Sequence, residues 1–198
     1  MRLFPAADAA SVTVQVHRLR AADLTGVVTL QDANLHDALD AAQRDEGFLS
    51  ARFDAAQFVR MDRDIAVIVA EEAGRVVGYL CASGIAFNQD IPLLATMIAA
   101  FPRTDFLGRS LSSQRSFIYG PVCVAQAHRG AGVLRGMYDR LRDQLAGDYD
   151  AGVLFIAKSN GRSMSAHHKL DCTIVGEFRH DDKAYWILAF PVPQPKHC

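Results

Sequence analysis

Strong charge of either sign is missing from this 198-residue chain, in which 21 Lys and Arg against 22 Asp and Glu leave a formal net charge of -1 with histidine neutral. There is no global positive field to hold a nucleic acid or an acidic membrane surface, so neither is expected as a partner. Long apolar runs are missing too. The longest, Ile91 to Phe101, is about half of what a bilayer crossing needs. The N-terminus reaches Pro5, Asp8 and Gln15 without the sustained apolar stretch of a secretory signal, so a cytoplasmic location is expected. The four cysteines, Cys81, Cys123, Cys172 and Cys198, form no C-x-x-C pair, which argues for reduced thiols rather than a disulfide framework. His197 and Cys198 are two metal-capable groups on a proline-bearing tail, fewer than a site needs, and no metal is expected. Internal repeats and low-complexity tracts are absent as well.

What is present is the ordinary balance of a globular protein, 50% hydrophobic and 22% charged. The length suits a single domain spanning residues 1–198. Val12, Val14 and Val16 alternate with polar residues, the period of a half-buried first strand. Asp23 to Glu46, rich in Ala, Leu and Asp, reads as one or two helices ended by Gly47. Ile65 to Ala70 and Val76 to Ser83 are β-branched runs joined through Gly74 and read as an antiparallel hairpin. Asn88 to Ser116 is the least regular stretch, with an apolar helix candidate at Ile91 to Phe101 followed by Arg103, Arg109 and Arg115. Long connections of this kind often shape substrate choice.

Phe117 to Val124 reads as a strand that Gly120 and Pro121 interrupt, by a bulge or by parting from its neighbour. Val133, Met137, Leu141 and Leu145 then recur every four residues, the best amphipathic helix in the chain, with Gly147 as its stop. A strand at Val153 to Ala157, a short helix at Ser163 to Leu170, and a hairpin of Thr173 to Arg179 with Ala184 to Phe190 complete the order.

The informative segment is Val122 to Leu141, VCVAQAHRGAGVLRGMYDRL. Gly130 and Gly132 allow the backbone to curl so that consecutive N–H groups point into one concavity, which favours an anion. The helix starting near Gly132 presents its unpaired N–H groups and positive dipole end to the same spot, and Arg129 adds a charge. A pyrophosphate suits such a site. The bland alternative is a tight strand-to-helix turn beside a solvated arginine.

The segment resembles the coenzyme A loop of the GNAT N-acetyltransferases, whose pattern of Gln or Arg, two residues, Gly, one residue, then Gly or Ala maps onto Arg129, Gly130, Ala131, Gly132, Val133 and Leu134. Val124 matches the preceding valine. His128 stands where an aromatic residue is common, and Leu134 where a small residue is preferred. The order of elements is similar along nearly the whole chain. The resemblance implies an α/β (α+β type) GNAT fold, with a mixed, mostly antiparallel sheet of six to seven strands flanked by helices. It implies acetyl-CoA as the acyl donor, with the backbone of Val122, Cys123 and Val124 along its pantetheine arm. Asn160 matches a cofactor-holding asparagine, and its residue type equally suits a helix N-cap.

Acyl transfer needs an amine freed of its proton, and an alkyl amine has a pKa of roughly 10. Glu71, Glu72 and Tyr119 are the candidates to assist, with exposed turn acids as the plain reading of both glutamates. The family's proton-donating tyrosine lies in a Tyr, any residue, Lys, Leu, Gly, Phe pattern, which here reads His167, His168, Lys169, Leu170, Asp171 and Cys172. His167 takes the tyrosine's place and, as imidazole, suits proton transfer near neutrality. His168 is the alternative, and a surface histidine pair is the plain reading.

The expected function is therefore acetyl transfer from acetyl-CoA directly to the amine of a small molecule or peptide. Cys123 has no evident activating neighbour for a covalent route. A module that binds acetyl-CoA without turnover is the alternative, and a dinucleotide-dependent oxidoreductase is a more remote one. The acceptor and the oligomeric state, a homodimer included, are not written in the sequence.

Overall fold

The computed structural model describes residues 13–40, 42–43 and 47–194. Val12 of the proposed first strand, and His197 and Cys198, lie outside the described residues. The elements run β1 (Gln15–Arg18), α1 (Leu24–Asp32), α2 (Ala55–Asp64), β2 (Ala66–Glu72), β3 (Arg75–Ser83), α3 (Ile85–Asn88), α4 (Pro92–Ile98), β4 (Asp105–Phe106), β5 (Arg109–Ser110), β6 (Ser116–Val124), α5 (Val133–Gln144), β7 (Ala151–Ala157), α6 (Gly161–His168), β8 (Thr173–His180) and β9 (Lys183–Pro191).

Seven strands form one sheet in the order β1-β2-β3-β6-β7-β9-β8, and β4 and β5 form a separate small hairpin. Only β6 and β7 pair in parallel, and the other neighbours are antiparallel. This is the mixed, mostly antiparallel sheet expected from the sequence. It is incompatible with the parallel half-sheet of a dinucleotide-binding oxidoreductase.

The continuous apolar runs of the central strands follow from burial on both faces. Alternate residues of β2 and β3 divide between them: Ile68, Ala70, Leu80 and Ala82 pack with Met137, Tyr138 and Leu141 of α5, whereas Val67, Val69, Tyr79 and Cys81 pack with Val27 of α1 and Phe58 and Met61 of α2. Leu188 and Phe190 of β9 share the first of these cores, and Ile187 and Ala189 face Leu94 and Met97 of α4.

Helix α2 escaped the sequence reading, although its start is marked locally. Asp54 accepts from the Gln57 backbone N–H and the Gln57 side chain accepts from the Asp54 N–H, a reciprocal capping box. In the irregular stretch, Arg109 and Arg115 turn out to converge on Asp150. The Arg115 guanidinium donates to Asp150 Oδ1 at 2.7 Å and to the Gly147 carbonyl at 2.7 Å, and Arg109 lies 3.7 Å from Asp150. The Arg115 hydrogen bond holds the Asp150 carboxyl below the usual range. Arg115 fastens the start of β6 to the start of β7, and Arg109 brings β5 to the same carboxylate.

Gly152, opposite Phe190 in the β7–β9 ladder, has no room for a side chain, since a Cβ there would lie 2.2 Å from Phe190 Cζ. Gly152→Ala is expected to lose about 1–3 kcal/mol by overpacking. Urea unfolding checks this, and an unchanged midpoint would contradict it.

Candidate functional site

The site arises where two parallel strands part. β6 and β7 pair only through Ser116 with Ala151, Phe117 with Gly152, and Ile118 with Val153. Beyond Ile118, β6 continues along β3 and β7 along β9, with Gly120 at φ 116°, a conformation open to glycine, at the point of divergence. The interruption seen in the sequence is this parting. A cleft of about 710 Å³ opens beyond it, lined by Val122, Cys123 and Val124 on one side and by α6 on the other.

At one end of the cleft the loop after β6 enters α5. Gly130 and Gly132 both have positive φ, 82° and 83°, and Gly132 is the N-cap residue in the left-handed conformation. Neither would meet a neighbour if given a Cβ, so backbone conformation and not crowding selects glycine there. No side chain caps α5. The first helical amide with a recorded partner is that of Gly136, to the Gly132 carbonyl at 2.9 Å. The N–H groups of the first turn therefore face the cleft end with the positive pole of the dipole. Val133 itself is buried in the core below, and Leu134, half-buried, forms part of the cleft wall. Ala131 lies exposed at the crest of the loop.

Arg129 lines the cleft and also ties the loop to its neighbours. Its Nε donates to the Val124 carbonyl at 3.0 Å and its Nη2 to Asn34 Oδ1 at 2.8 Å, so it fixes the loop to the end of β6 and to the segment after α1. His128 fixes the other side through Glu72, 2.9 Å from its Nε2. Arg129, Arg135, Arg162 and Lys169 line the cleft, and among the described residues no Asp or Glu does. Arg162 was missed in the sequence and Lys169 was read there only as part of the family's tyrosine-bearing pattern, though seven-residue spacing with Ser165 and Ala166 between them is the mark of one helix face.

Asn160 is the N-cap of α6. Its Oδ1 accepts from the Ser163 N–H at 3.1 Å, and its Nδ2 donates to the Phe48 carbonyl at 3.1 Å. The capping reading holds, and the residue also borders the cleft. Beyond it lies a second recess of about 100 Å³ that reaches between the parted strands. Phe48, Leu49, Val122, Asn160, Ser163 and His167 border both spaces.

Of the two neighbouring histidines, His167 faces inward at 3% exposure and His168 is exposed. The tautomer of His167 follows from its partner: a carbonyl only accepts, so Nδ1 carries the proton and donates to the Ser163 carbonyl at 2.8 Å. Nε2 is then the basic nitrogen, and it is buried without a hydrogen-bond partner. Burial pushes the imidazole pKa below its ordinary value, against the smaller opposing effect of the Ser163 hydrogen bond. A resting neutral ring is suited to accepting a proton before it gives one up. Asp171, in the place of the family pattern's glycine, adopts φ 60°.

Tyr119 stands beside it, its ring 5.6 Å from that of His167 and perpendicular to it. The hydroxyl is buried and has no hydrogen-bond partner among the described residues, and burial raises its pKa well above the ordinary range, so it stays protonated and can only offer a hydrogen bond. Glu71 is not brought to this place. It accepts from Arg20 in a cluster with His17 and Asp23, and among the described residues it lines neither space. Those three groups lie within 4.8 Å of one another, but the Arg20 guanidinium already supplies their positive charge. Cys123 is buried, and its thiol is pushed up to about 12, with the Arg129 charge too weak to reverse the effect of burial. Cys81, Cys123 and Cys172 are all unpaired.

No protein-family model matches the sequence, and no curated protein matches it. Solved structures do match. An N-acetyltransferase from Staphylococcus aureus Mu50 is 16% identical, with 91% of this chain and 99% of that one covered and a TM-score of 0.61. The structure of yncA from Salmonella typhimurium with its cofactor acetyl-CoA is 16% identical, with 94% and 99% covered and a TM-score of 0.59. A ribosomal-protein-alanine N-acetyltransferase from Brucella melitensis is 18% identical, with 89% and 99% covered and a TM-score of 0.56. The fold of this chain is that of the GNAT N-acetyltransferases. Among the described residues no helix is long and apolar enough to cross a membrane.

Proposed function

We propose that this protein transfers the acetyl group of acetyl-CoA directly to an amine. The observation that carries the reading is the uncapped first turn of α5 behind two positive-φ glycines, opening on a cleft with four basic side chains and no acid among the described residues. Unpaired N–H groups at a helix start and surrounding cations suit a diphosphate.

Acetyl-CoA supplies an activated acyl carbon and a thiolate leaving group. The first-turn N–H groups of α5 hold its diphosphate, with Arg135, Arg162 and Lys169 adding positive charge along the cleft. The Val122 to Val124 backbone aligns the arm, and one N–H of that stretch donates to the thioester oxygen as negative charge develops there. His167 Nε2 takes the proton that the amine loses as the N–C bond forms. The proton passes to the sulfur as the C–S bond breaks with its electron pair, leaving the protein unchanged. Tyr119 in the same wall keeps its proton and offers its O–H as a hydrogen bond to the departing sulfur.

Calorimetry with acetyl-CoA, followed by detection of released thiol in the presence of an amine, tests the proposal. Binding heat without thiol release with any amine would support a binding module instead, and absence of heat would remove the whole reading. The route is direct because the Cys123 thiol stays protonated at neutral pH. Intact-mass measurement after incubation with acetyl-CoA alone should accordingly show unmodified protein, and an acetylated species would contradict direct transfer.

A further inference from the structure

The smaller recess has a lining unlike that of the cleft it joins. Among the described residues around it there is no Asp, Glu, Lys or Arg, and its ionisable groups are Tyr119 and His167. Phe48, Phe53, Ile91, Leu94, Pro121 and Phe155 supply most of the remaining wall. Three of these are aromatic, and Ile91 and Leu94 come from the irregular stretch whose sequence revealed no chemistry.

From this lining, and resting on the acetyl-transfer reading above, we infer that the acceptor is an amine already uncharged at neutral pH and carried on an apolar, aromatic body. An alkylammonium entering this recess would be desolvated with no carboxylate to face it, which disfavours the charged form. It must also lose its proton first, and with a pKa of roughly 10 only about one molecule in a thousand is neutral at pH 7. An arylamine avoids both, and its ring gains from burial against aromatic and aliphatic walls.

His167 fits the same class of acceptor. Its Nε2 is buried and without a partner, and its Nδ1–H is committed to the Ser163 carbonyl. A neutral imidazole of lowered basicity is poorly matched to an alkylammonium. It is well matched to the proton that an arylamine sheds only once its nitrogen has bonded to the acyl carbon.

The test compares 4-methoxyaniline, 1,4-diaminobutane and an alanine tripeptide by thiol release at pH 7 with saturating acetyl-CoA, after calorimetry has measured acetyl-CoA binding. For 4-methoxyaniline, kcat/KM is expected to exceed that of the other two by at least about tenfold. Ser50→Asp places a carboxylate on the exposed rim of the recess without disturbing its core. It is expected to shift the ratio of the arylamine to the diamine by about tenfold toward the diamine. Acetyl-CoA binding together with a preference for the diamine or the tripeptide, or with no preference, would overturn the inference and leave the acetyl-transfer reading standing. No binding of acetyl-CoA would overturn both.

Discussion

Gly132→Val is expected to weaken acetyl-CoA binding by at least about a hundredfold. Gly132 holds φ 83° as the N-cap residue of α5. A β-branched side chain there costs about 1–3 kcal/mol if the conformation is kept. The loop relieves that strain by rotating, and the rotation turns the first N–H groups of the helix away from the cleft. Each charge-assisted hydrogen bond to a phosphate contributes about 1.5–3 kcal/mol, so losing two accounts for the expected change. Gly74 offers the control. It also has positive φ, 77°, with open space around it, but it lies in the β2–β3 turn away from the cleft. Gly74→Val should cost similar stability and leave acetyl-CoA affinity unchanged. Calorimetry decides, and equal affinities for wild type and Gly132→Val would remove the phosphate cradle from the account.

The second large effect is expected from His167→Asn. Asparagine can keep the hydrogen bond that Nδ1–H makes to the Ser163 carbonyl while removing the titrating Nε2, so the helix stays anchored and only proton transfer is lost. Turnover should fall by about 10²–10⁴-fold, with acetyl-CoA affinity close to wild type. The pH profile separates this from a structural effect. The wild-type ring must be neutral to accept a proton, and burial lowers its folded pKa beneath the ordinary value of about 6.5. Activity is therefore full above about 6.5 and declines as pH falls through the lower folded value. In the variant that acid limb should disappear. A variant that turns over like wild type, or keeps the same acid limb, would exclude His167 from the proton path.

Much of this architecture can be traced to local patterns. The apolar runs of β2, β3 and β7, the four-residue recurrence in α5 and the glycines at 130 and 132 each reflect a short-range constraint, on strand burial, helix amphipathicity and backbone conformation. α2 was missed although it carries both a capping box, Asp54 to Gln57, and an apolar face of the kind that marks α5, because that face rests on only two buried residues, Phe58 and Met61, where α5 has Val133, Met137, Tyr138 and Leu141. Glu71 was chosen for its position at a strand end. What sends it away from the site is Arg20, 51 residues distant in the chain and so invisible to any local pattern.

Sequence alone determined the order along the chain of the seven strands of the main sheet and the place of α5 and α6 among them, the curl between Arg129 and Leu134, and the resemblance that points to acetyl-CoA, because each depends on residues close together in the chain. Tertiary structure alone decided which histidine faces inward and which of its nitrogens is basic. It also set Arg129 to hold the loop in place, Asp150 to gather Arg109 and Arg115, and the smaller recess to be apolar. Those outcomes depend on which distant groups meet in a space closed to water, where burial and a single carbonyl partner set the protonation state of a side chain.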